Sequence, residues 1–589
     1  MEEKIFSLIF KNPVSVIKNL QDSFDFVKSF NARVYFIQDS DLDTLTLYQE
    51  NESSYSKGYC IKSKKNFKKE DNIIYFSSEA FKDFLIEELS QKKRVYDFCS
   101  IIVVNNFDYQ KLLNSIIINL WIKIYKESDL RPYLVLLTTS DLIPKVDFKI
   151  DETNFLEFKK ETNKEIIYHD KNYKLGDNNL YLDMFQKIKE YHLRNPVKKD
   201  ETSTWVIFCS QKSERKKFSK TVFDYFKDSD EVYSFYKGVK VSSVKNIIKK
   251  GRKGKRKFLI LDETIDIPIC IKSIDGIFDC MTTNFNLKSD NVNLYISKNT
   301  AHRHLNCMDE GFCYRMCEKD FFDKLGEVDI KESERIYMEN HFLEIIKNDL
   351  DPYEIFKGEL EKEDINKCLQ SLKEFNLVEN IDLESYVMTK LGEDVLGMPL
   401  DIKNNIIIKN WEEDLTEISI LISLIEMDKK IFSRGEISER FKNKDTLHTL
   451  IKISLEVLKL EEEDIKSFCE KENLIESGVL SLISNFKNIS EKLNFEPEIK
   501  DFDITLFLQK VKKDFEKVYF KEIYRLVDEE KKLYSNGLNE ICSIDVSKFY
   551  NKNLYLPKKI IALTFINLNT DKESIQRRKK MIGLFLNLE

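Results

Sequence analysis

The chain predicts a multidomain α/β plus α protein, and three observations carry that prediction. At 589 residues with 42% hydrophobic content, it can bury several separate cores. Over the first half, continuous apolar runs alternate with helix-periodic stretches, the pattern of parallel strands covered by helices on both faces. This alternation then occurs a second time, so two similar α/β units follow one another. In the first unit, Val34-Tyr-Phe-Ile37, Ser100-Ile-Ile-Val-Val104 and Tyr133-Leu-Val-Leu-Leu137 read as buried strands, and residues 112–125, which include Trp121, read as a helix. In the second, Trp205-Val-Ile-Phe208 is followed by a helix over residues 214–226 and by strands at 258–261 and 276–278. Residues 147–202 connect the two units and include the polar stretch Pro196-Val-Lys-Lys-Asp-Glu-Thr202. In such sheets ligands sit at the carboxyl ends of the strands, so chemistry is expected just after each one.

Composition narrows the class. Lys+Arg 94 against Asp+Glu 101 leaves a net charge of -7, so any basic surface must be local. The start, Met1-Glu-Glu-Lys-Ile-Phe6, has neither the basic opening nor the apolar run of a signal peptide, and no apolar stretch approaches the roughly 20 residues of a membrane span. Eleven scattered cysteines form no disulfide framework. The expectation is a soluble, intracellular protein with buried thiols and no membrane association.

One run carries a family resemblance. Arg256-Lys-Phe-Leu-Ile-Leu-Asp-Glu-Thr-Ile-Asp-Ile-Pro-Ile-Cys-Ile-Lys-Ser-Ile-Asp-Gly-Ile-Phe-Asp-Cys280 places an apolar strand, a polar turn, a Pro-punctuated segment and a second strand ending in Asp279. It resembles motif V of the DEAH/RHA-type RNA helicases. The likeness extends to Gly58-Tyr-Cys-Ile61 and Ile73-Ile-Tyr-Phe-Ser-Ser-Glu79, and to Ser100-Ile-Ile-Val-Val-Asn-Asn-Phe-Asp108 where Asp-Glu-Ala-His would stand. It continues at Thr138-Thr-Ser140 in place of Ser-Ala-Thr, and at Ile296-Ser-Lys-Asn-Thr-Ala-His-Arg303 with Gly311-Phe-Cys-Tyr-Arg315 around motif VI. Met388-Thr-Lys-Leu-Gly-Glu-Asp-Val-Leu-Gly-Met-Pro-Leu-Asp401 is similar to the family's winged-helix exit and is the most specific match. The resemblance implies two tandem RecA-like domains, a winged helix, a helical ratchet and a small OB-fold β-barrel. It implies boundaries at 1–160, 161–325, 326–400, 401–510 and 511–589.

The residues the chemistry needs are missing. Phosphoryl transfer requires a Gly-rich loop with a Lys, a carboxylate for Mg²⁺, a second to orient water, and an Arg finger. No G-x-x-x-x-G-K-[ST] occurs, and the 33 residues before Val34, the first clear strand, contain no glycine from which a phosphate nest could be built. Asn105 and Asn106 replace the two carboxylates; an amide brings no charge to Mg²⁺ and cannot act as a base. Asp108 lies just beyond them. Arg303 stands in motif VI, but the following His304-Leu-Asn-Cys-Met-Asp-Glu310 has no Arg where the finger belongs. No catalytic residue is therefore assigned, no cofactor is expected, and ATP with Mg²⁺ enters only if an active enzyme survives this divergence.

Two other constellations invite function. His302, His304, Cys307, Cys313 and Cys317 supply five zinc-type ligands within 16 residues. They contain no C-x-x-C, and residues 311–316 read as a buried strand, so they are read as buried thiols and surface imidazoles and no metal is assigned. Lys249, Lys250, Arg252, Lys253, Lys255, Arg256 and Lys257 put seven positive charges in nine residues around two glycines, which predicts an exposed basic loop able to meet phosphates. Arg577-Arg-Lys-Lys580 is a smaller patch. Against it, the position where the family presents backbone-contacting arginines reads Gln38-Asp-Ser-Asp41. The expectation is a catalytically degenerate helicase homologue acting as an RNA-binding or scaffold subunit of an RNA-processing assembly, in pre-mRNA splicing or ribosome biogenesis, in nucleus or cytoplasm. RNA and protein subunits of that assembly are the expected partners. The alternatives are a divergent but active ATP-dependent RNA helicase and a pure protein-interaction platform.

Overall fold

A computed structural model describes residues 7–10, 33–39, 41, 44, 45, 48, 57–62, 64–68, 71–90, 101–105, 111–127, 133–137, 155–156, 163–177, 179–210, 212–235, 251–262, 274–287, 290–308, 310–380, 385–396, 398, 400–427, 431–432, 437–441, 446–536, 540–544, 556–567 and 580–588. The chain divides into two compact units, one built from residues 1–285, 293–335 and 348–365, the other from 286–292, 336–347 and 366–589.

The first unit contains two sheets. The first is formed by β1 Ser7–Phe10, β2 Val34–Gln38, β3 Lys57–Ile61, β4 Lys64–Asn66, β5 Ile73–Ser77, β6 Ile101–Val104, β7 Tyr133–Leu137 and β8 Phe155–Leu156, in the order β4-β3-β5-β2-β6-β7-β1-β8. All neighbours pair in parallel except β3 with β4. Every residue of β2 and β5 is buried, which explains their unbroken apolar sequence. The helices α1 Ser78–Ser90 and α2 Leu112–Glu127 pack on the sheet, with Phe81, Leu85, Ile117 and Trp121 buried. Val34 begins the first clear strand of the sequence, but β1 precedes it in the sheet and pairs with both β7 and β8. Its four residues, Ser-Leu-Ile-Phe, are too short a run to stand out from the apolar stretch around them.

The second sheet comprises β9 Lys164–Tyr168, β10 Ser203–Cys209, β11 Glu231–Phe235, β12 Arg256–Asp262, β13 Ile274–Asp279 and, after the hairpin of β14 Thr282–Leu287 with β15 Asp290–Tyr295, β16 Gly311–Arg315. Its order is β11-β12-β10-β13-β16-β9, all parallel. Alternating side chains build two cores. Trp205, Ile207, Phe258, Ile260 and Phe278 face Met184 and Ile188 of α3 Asn179–Arg194 and Val222 and Phe226 of α4 Lys212–Phe226. On the other face, Val206, Phe208, Leu259, Leu261 and Cys313 join Leu305 of α5 Lys298–Asn306. Gly276 is dictated by this packing, because a Cβ there would lie 2.6 Å from Cδ1 of Trp205.

In the second unit a short antiparallel pair, β17 Val378–Asn380 with β18 Tyr386–Met388, precedes the helix Lys390–Val395. A run of helices follows from α6 Ile402–Asn410 and α7 Leu415–Ile425 to α8 Ile504–Val518. The helix α8 therefore runs through residue 510. The chain ends in a closed five-stranded barrel, β19 Ile523–Asp528, β20 Leu533–Asn536, β21 Ile541–Ile544, β22 Lys559–Asn567 and β23 Lys580–Asn587, in the order β19-β20-β21-β23-β22. Tyr524, Tyr534, Ile560 and Ile582 fill it.

Candidate functional site

The carboxyl ends of the first sheet bring Gln38, Ser77 and Asn105 together. Asn105 follows β6, and its backbone N–H donates to the Ile37 carbonyl at 3.0 Å, which continues the ladder past the last strand residue. Its side-chain Nδ2 donates to Gln38 Oε1 at 2.9 Å, and the Ser78 hydroxyl donates to the Gln38 carbonyl at 3.0 Å. All four residues are buried. Among the described residues Gln38 Nε2, Ser77 Oγ and Asn105 Oδ1 have no hydrogen-bond partner. Asn105, at the first of the two positions where the resemblance implies a carboxylate, is thus paired with a second neutral amide, that of Gln38. Neither amide brings charge to a divalent cation. Asn106, Asp108, the segment after β1 and Thr138-Thr-Ser140 lie outside the described residues.

The acids of Gln38-Asp-Ser-Asp41 are engaged rather than bare. Asp39 pairs with Lys111 at 2.6 Å, and Asp41 Oδ1 accepts the Lys62 backbone N–H at 3.2 Å. Lys62 in turn pairs with Glu79 in the first turn of α1.

The second sheet organises its carboxyl ends around Asp279. Its Oδ1 accepts the Met281 N–H at 2.8 Å, and its Oδ2 lies 2.8 Å from His304 Nδ1. Burial alone would raise this carboxyl, but His304, the Met281 N–H and the Arg315 guanidinium outweigh it and hold it below the usual carboxylate range. His304 stacks flat on Phe208, ring centroids 3.6 Å apart. The buried Arg315 donates to the Tyr168 hydroxyl at 3.1 Å and to the Ala301 carbonyl at 3.4 Å, with its guanidinium 4.1 Å over the Phe322 ring.

A second polar chain lies beside it. Tyr173 donates to Asp183 at 2.7 Å and is 2.9 Å from His169 Nε2, whose Nδ1 is 2.9 Å from the Tyr314 hydroxyl. Because Tyr173 gives its own proton to Asp183, it accepts from Nε2–H, which also lies 3.2 Å from Asp170 Oδ1. Burial lowers the His169 pKa.

The zinc-type residues do not converge. His302 and His304 are two residues apart on α5 and so point to different sides, Cys307 caps that helix, and Cys313 and Cys317 are buried. Burial pushes both buried thiols up to about 12. Among the described residues no group of three or more His, Cys, Asp or Glu is arranged to hold a metal ion. The reading of His304 as a surface imidazole is corrected, since it is buried in the Asp279 network. Arg303 sits half-buried on the same helix, its carbonyl accepting the Cys307 thiol at 3.3 Å.

The exposed basic loop is corrected in part. Arg256 and Lys257 belong to β12 and are only 3% and 2% exposed. Strand alternation sends Arg256 to the Trp205 face, with its guanidinium 3.7 Å over the indole. Its Nε donates to Ser203 Oγ at 3.0 Å, Nη1 to His192 Nδ1 at 2.9 Å and Nη2 to the Asn195 carbonyl at 2.5 Å. Lys257 turns to the opposite face, 5.5 Å from the Tyr233 ring, and burial lowers its pKa to about 8. Arg252, Lys253 and Lys255 remain in the turn, while Lys249, Lys250 and Arg577-Arg-Lys-Lys580 are almost entirely outside the described residues. This turn precedes β12, at the amino edge of the sheet and away from the carboxyl ends.

No protein-family model matches the sequence, and no curated protein matches it. The structure is similar to the crystal structure of the E. coli DExH-box NTPase HrpB, with a TM-score of 0.59 at 10% identity. The match covers 99% of this chain and 66% of that one. The fold is therefore helicase-like, with two parallel sheets consistent with RecA-like domains, and the chain spans about two thirds of the length of the protein it resembles. Among the described residues no helix is long and apolar enough to cross a membrane.

Proposed function

We propose that this chain is a helicase-fold protein that has lost ATP hydrolysis and serves as an RNA-binding or scaffold subunit of an RNA-processing assembly. The observation that carries the reading is the Asn105–Gln38 amide pair at the tip of β6, where a helicase-fold NTPase needs a carboxylate. The sequence supports it: β1 ends at Phe10, and the first glycine of the chain is Gly58, so no glycine is available for a phosphate nest after β1. The second unit is read in the same terms, with β17, β18 and the flanking helices as a winged helix, the helices from α6 to α8 as the ratchet, and the five-stranded barrel as an OB-fold.

The test is steady-state ATP turnover by the purified chain with and without single-stranded RNA. Turnover is expected to stay at the level of a heat-treated control. RNA-stimulated turnover that Asn105→Ala or Asn106→Ala abolishes would overturn the reading in favour of an active helicase.

A further inference from the structure

The polar turn before β12 does not stand alone. Residues 198–201 form a second turn, closed by the Glu201 N–H donating to the Lys198 carbonyl at 3.0 Å, and the two turns are tied together where the Gly254 N–H donates to the Glu201 carbonyl at 2.9 Å. Gly254 has φ +73°, and a Cβ there would lie 3.4 Å from the Lys199 backbone, so the contact is close and favours glycine. The base of the loop is pinned as well. The Arg256 N–H donates to Asp230 at 2.8 Å, and the Arg252 N–H donates to Glu231 at 3.0 Å. Two rigid turns therefore display Lys198, Lys199, Arg252, Lys253 and Lys255 at the amino edge of the second sheet. Arg252 is paired with Glu231 at 3.2 Å and Lys198 with Glu201 at 2.9 Å. That leaves Lys199 and Lys253, both exposed, and the half-buried Lys255 as positive charges without a side-chain ion pair among the described residues, with Asp200 and Asp228 as exposed acids on these turns and the neighbouring one.

We propose that this double turn is a contact site for the phosphodiester backbone of a single-stranded polynucleotide, on the edge of the sheet opposite the strand tips. The inference rests on the proposed RNA-binding role and locates it. Three features select a polynucleotide over an acidic protein. Apart from Arg252, which is paired with Glu231, the basic side chains of the turns are lysines, and the turns present no apolar or aromatic side chain, whereas protein interfaces draw their energy from aromatic and Arg anchors and are depleted in Lys. Lysine meets a phosphate as a point charge without demanding a fixed geometry. Binding through such groups is driven by counterion release and needs no pocket. The patch also escapes the acids of Gln38-Asp-Ser-Asp41, which lie on the other sheet.

The test compares wild type, the triple variant Lys199→Gln/Lys253→Gln/Lys255→Gln, and Lys298→Gln, which removes a lysine paired with Glu327 at the start of α5, on the carboxyl side of the same sheet. Fluorescent poly(U) and poly(A) are titrated across a range of salt concentrations. The triple variant should lose affinity equally for both polymers. The slope of log K against log[salt] should become shallower by about 2, at about 0.7 per lost phosphate contact. Lys298→Gln should leave affinity and slope unchanged. Arg256 and Lys257 are left intact because they are core residues, and an unchanged melting temperature verifies the fold. Three results would overturn the site: an unchanged slope in the triple variant, a slope change confined to Lys298→Gln, or competition by polyglutamate as effective as by RNA at equal charge. Absence of RNA binding by wild type even at low salt would also overturn it, yet would leave the loss of ATP hydrolysis standing, since turnover is measured separately.

Discussion

The two sheets of the first unit treat the carboxyl ends of their strands in opposite ways. In the first, Gln38, Ser77 and Asn105 are neutral, and three of their buried polar atoms lack partners among the described residues. In the second, Asp279 keeps its charge, but both oxygens are committed to His304 and the Met281 N–H within a packed network that includes Arg315 and Phe208. The buried tip of the first sheet is lined by neutral groups, and that of the second encloses a charged one. At neither tip do the described residues bring three or more His, Cys, Asp or Glu side chains together to hold a metal ion. The difference teaches that the strand tips of two parallel sheets can be closed in two ways, by neutral hydrogen-bonding groups or by a charged carboxylate enclosed with its partners.

The largest effect should come from breaking the enclosed network. Asp279→Ala leaves His304 and Arg315 buried without their acid and should destabilise the second sheet by about 3–5 kcal/mol, the usual cost of removing one partner of a buried pair. Urea unfolding read by hydrogen exchange in β13 and β16 checks it. A loss below about 1 kcal/mol would mean that the network is incidental and the contrast between the tips is empty.

A smaller effect separates the sheets by pH. His169 is held neutral among Tyr314, Tyr173, Asp170, Asp183, Lys171 and Lys187, and His192 between Arg256 and Asp230; burial is the leading cause that lowers both pKa values. An unfolded imidazole takes a proton below about pH 6.5 while the folded one resists it. The unfolded chain therefore binds more protons in that window, and stability falls as pH drops from about 6.5 toward the folded pKa values. Above 6.5 this contribution is constant. Exchange protection in β9 and β10 should decline between pH 7 and 5 while protection in β2 and β5 does not, and His169→Gln should flatten the decline. Equal loss in both sheets would assign the pH response elsewhere.

The smallest effect should come from the amide tip. Replacing both partners with apolar groups, Gln38→Leu/Asn105→Leu, removes two unsatisfied atoms together with one hydrogen bond and should change stability by less than about 1 kcal/mol in either direction. Thermal unfolding measures it. A loss of several kcal/mol would show that the tip is bound into a network as tight as that of Asp279.

Much of the fold was legible because continuous apolar runs of four or five residues report strands buried on both faces, and these are what the sequence contains from Val34 to Tyr133 and from Trp205 to Phe278. The amides at Asn105 and Asn106 and the absence of glycine before Gly58 are also properties of the sequence alone, since they depend only on residue type. β1 was not legible, because four residues gain strand character only by lying between β7 and β8. The basic run could not be partitioned without the structure either. Charge is a property of composition, but whether a lysine meets solvent or an indole is decided by where β12 begins and which face each side chain enters. The roles of His304 and Asp279, 25 residues apart, belong wholly to tertiary structure, because only the folding of α5 onto β13 brings an imidazole and a carboxylate within 2.8 Å of each other.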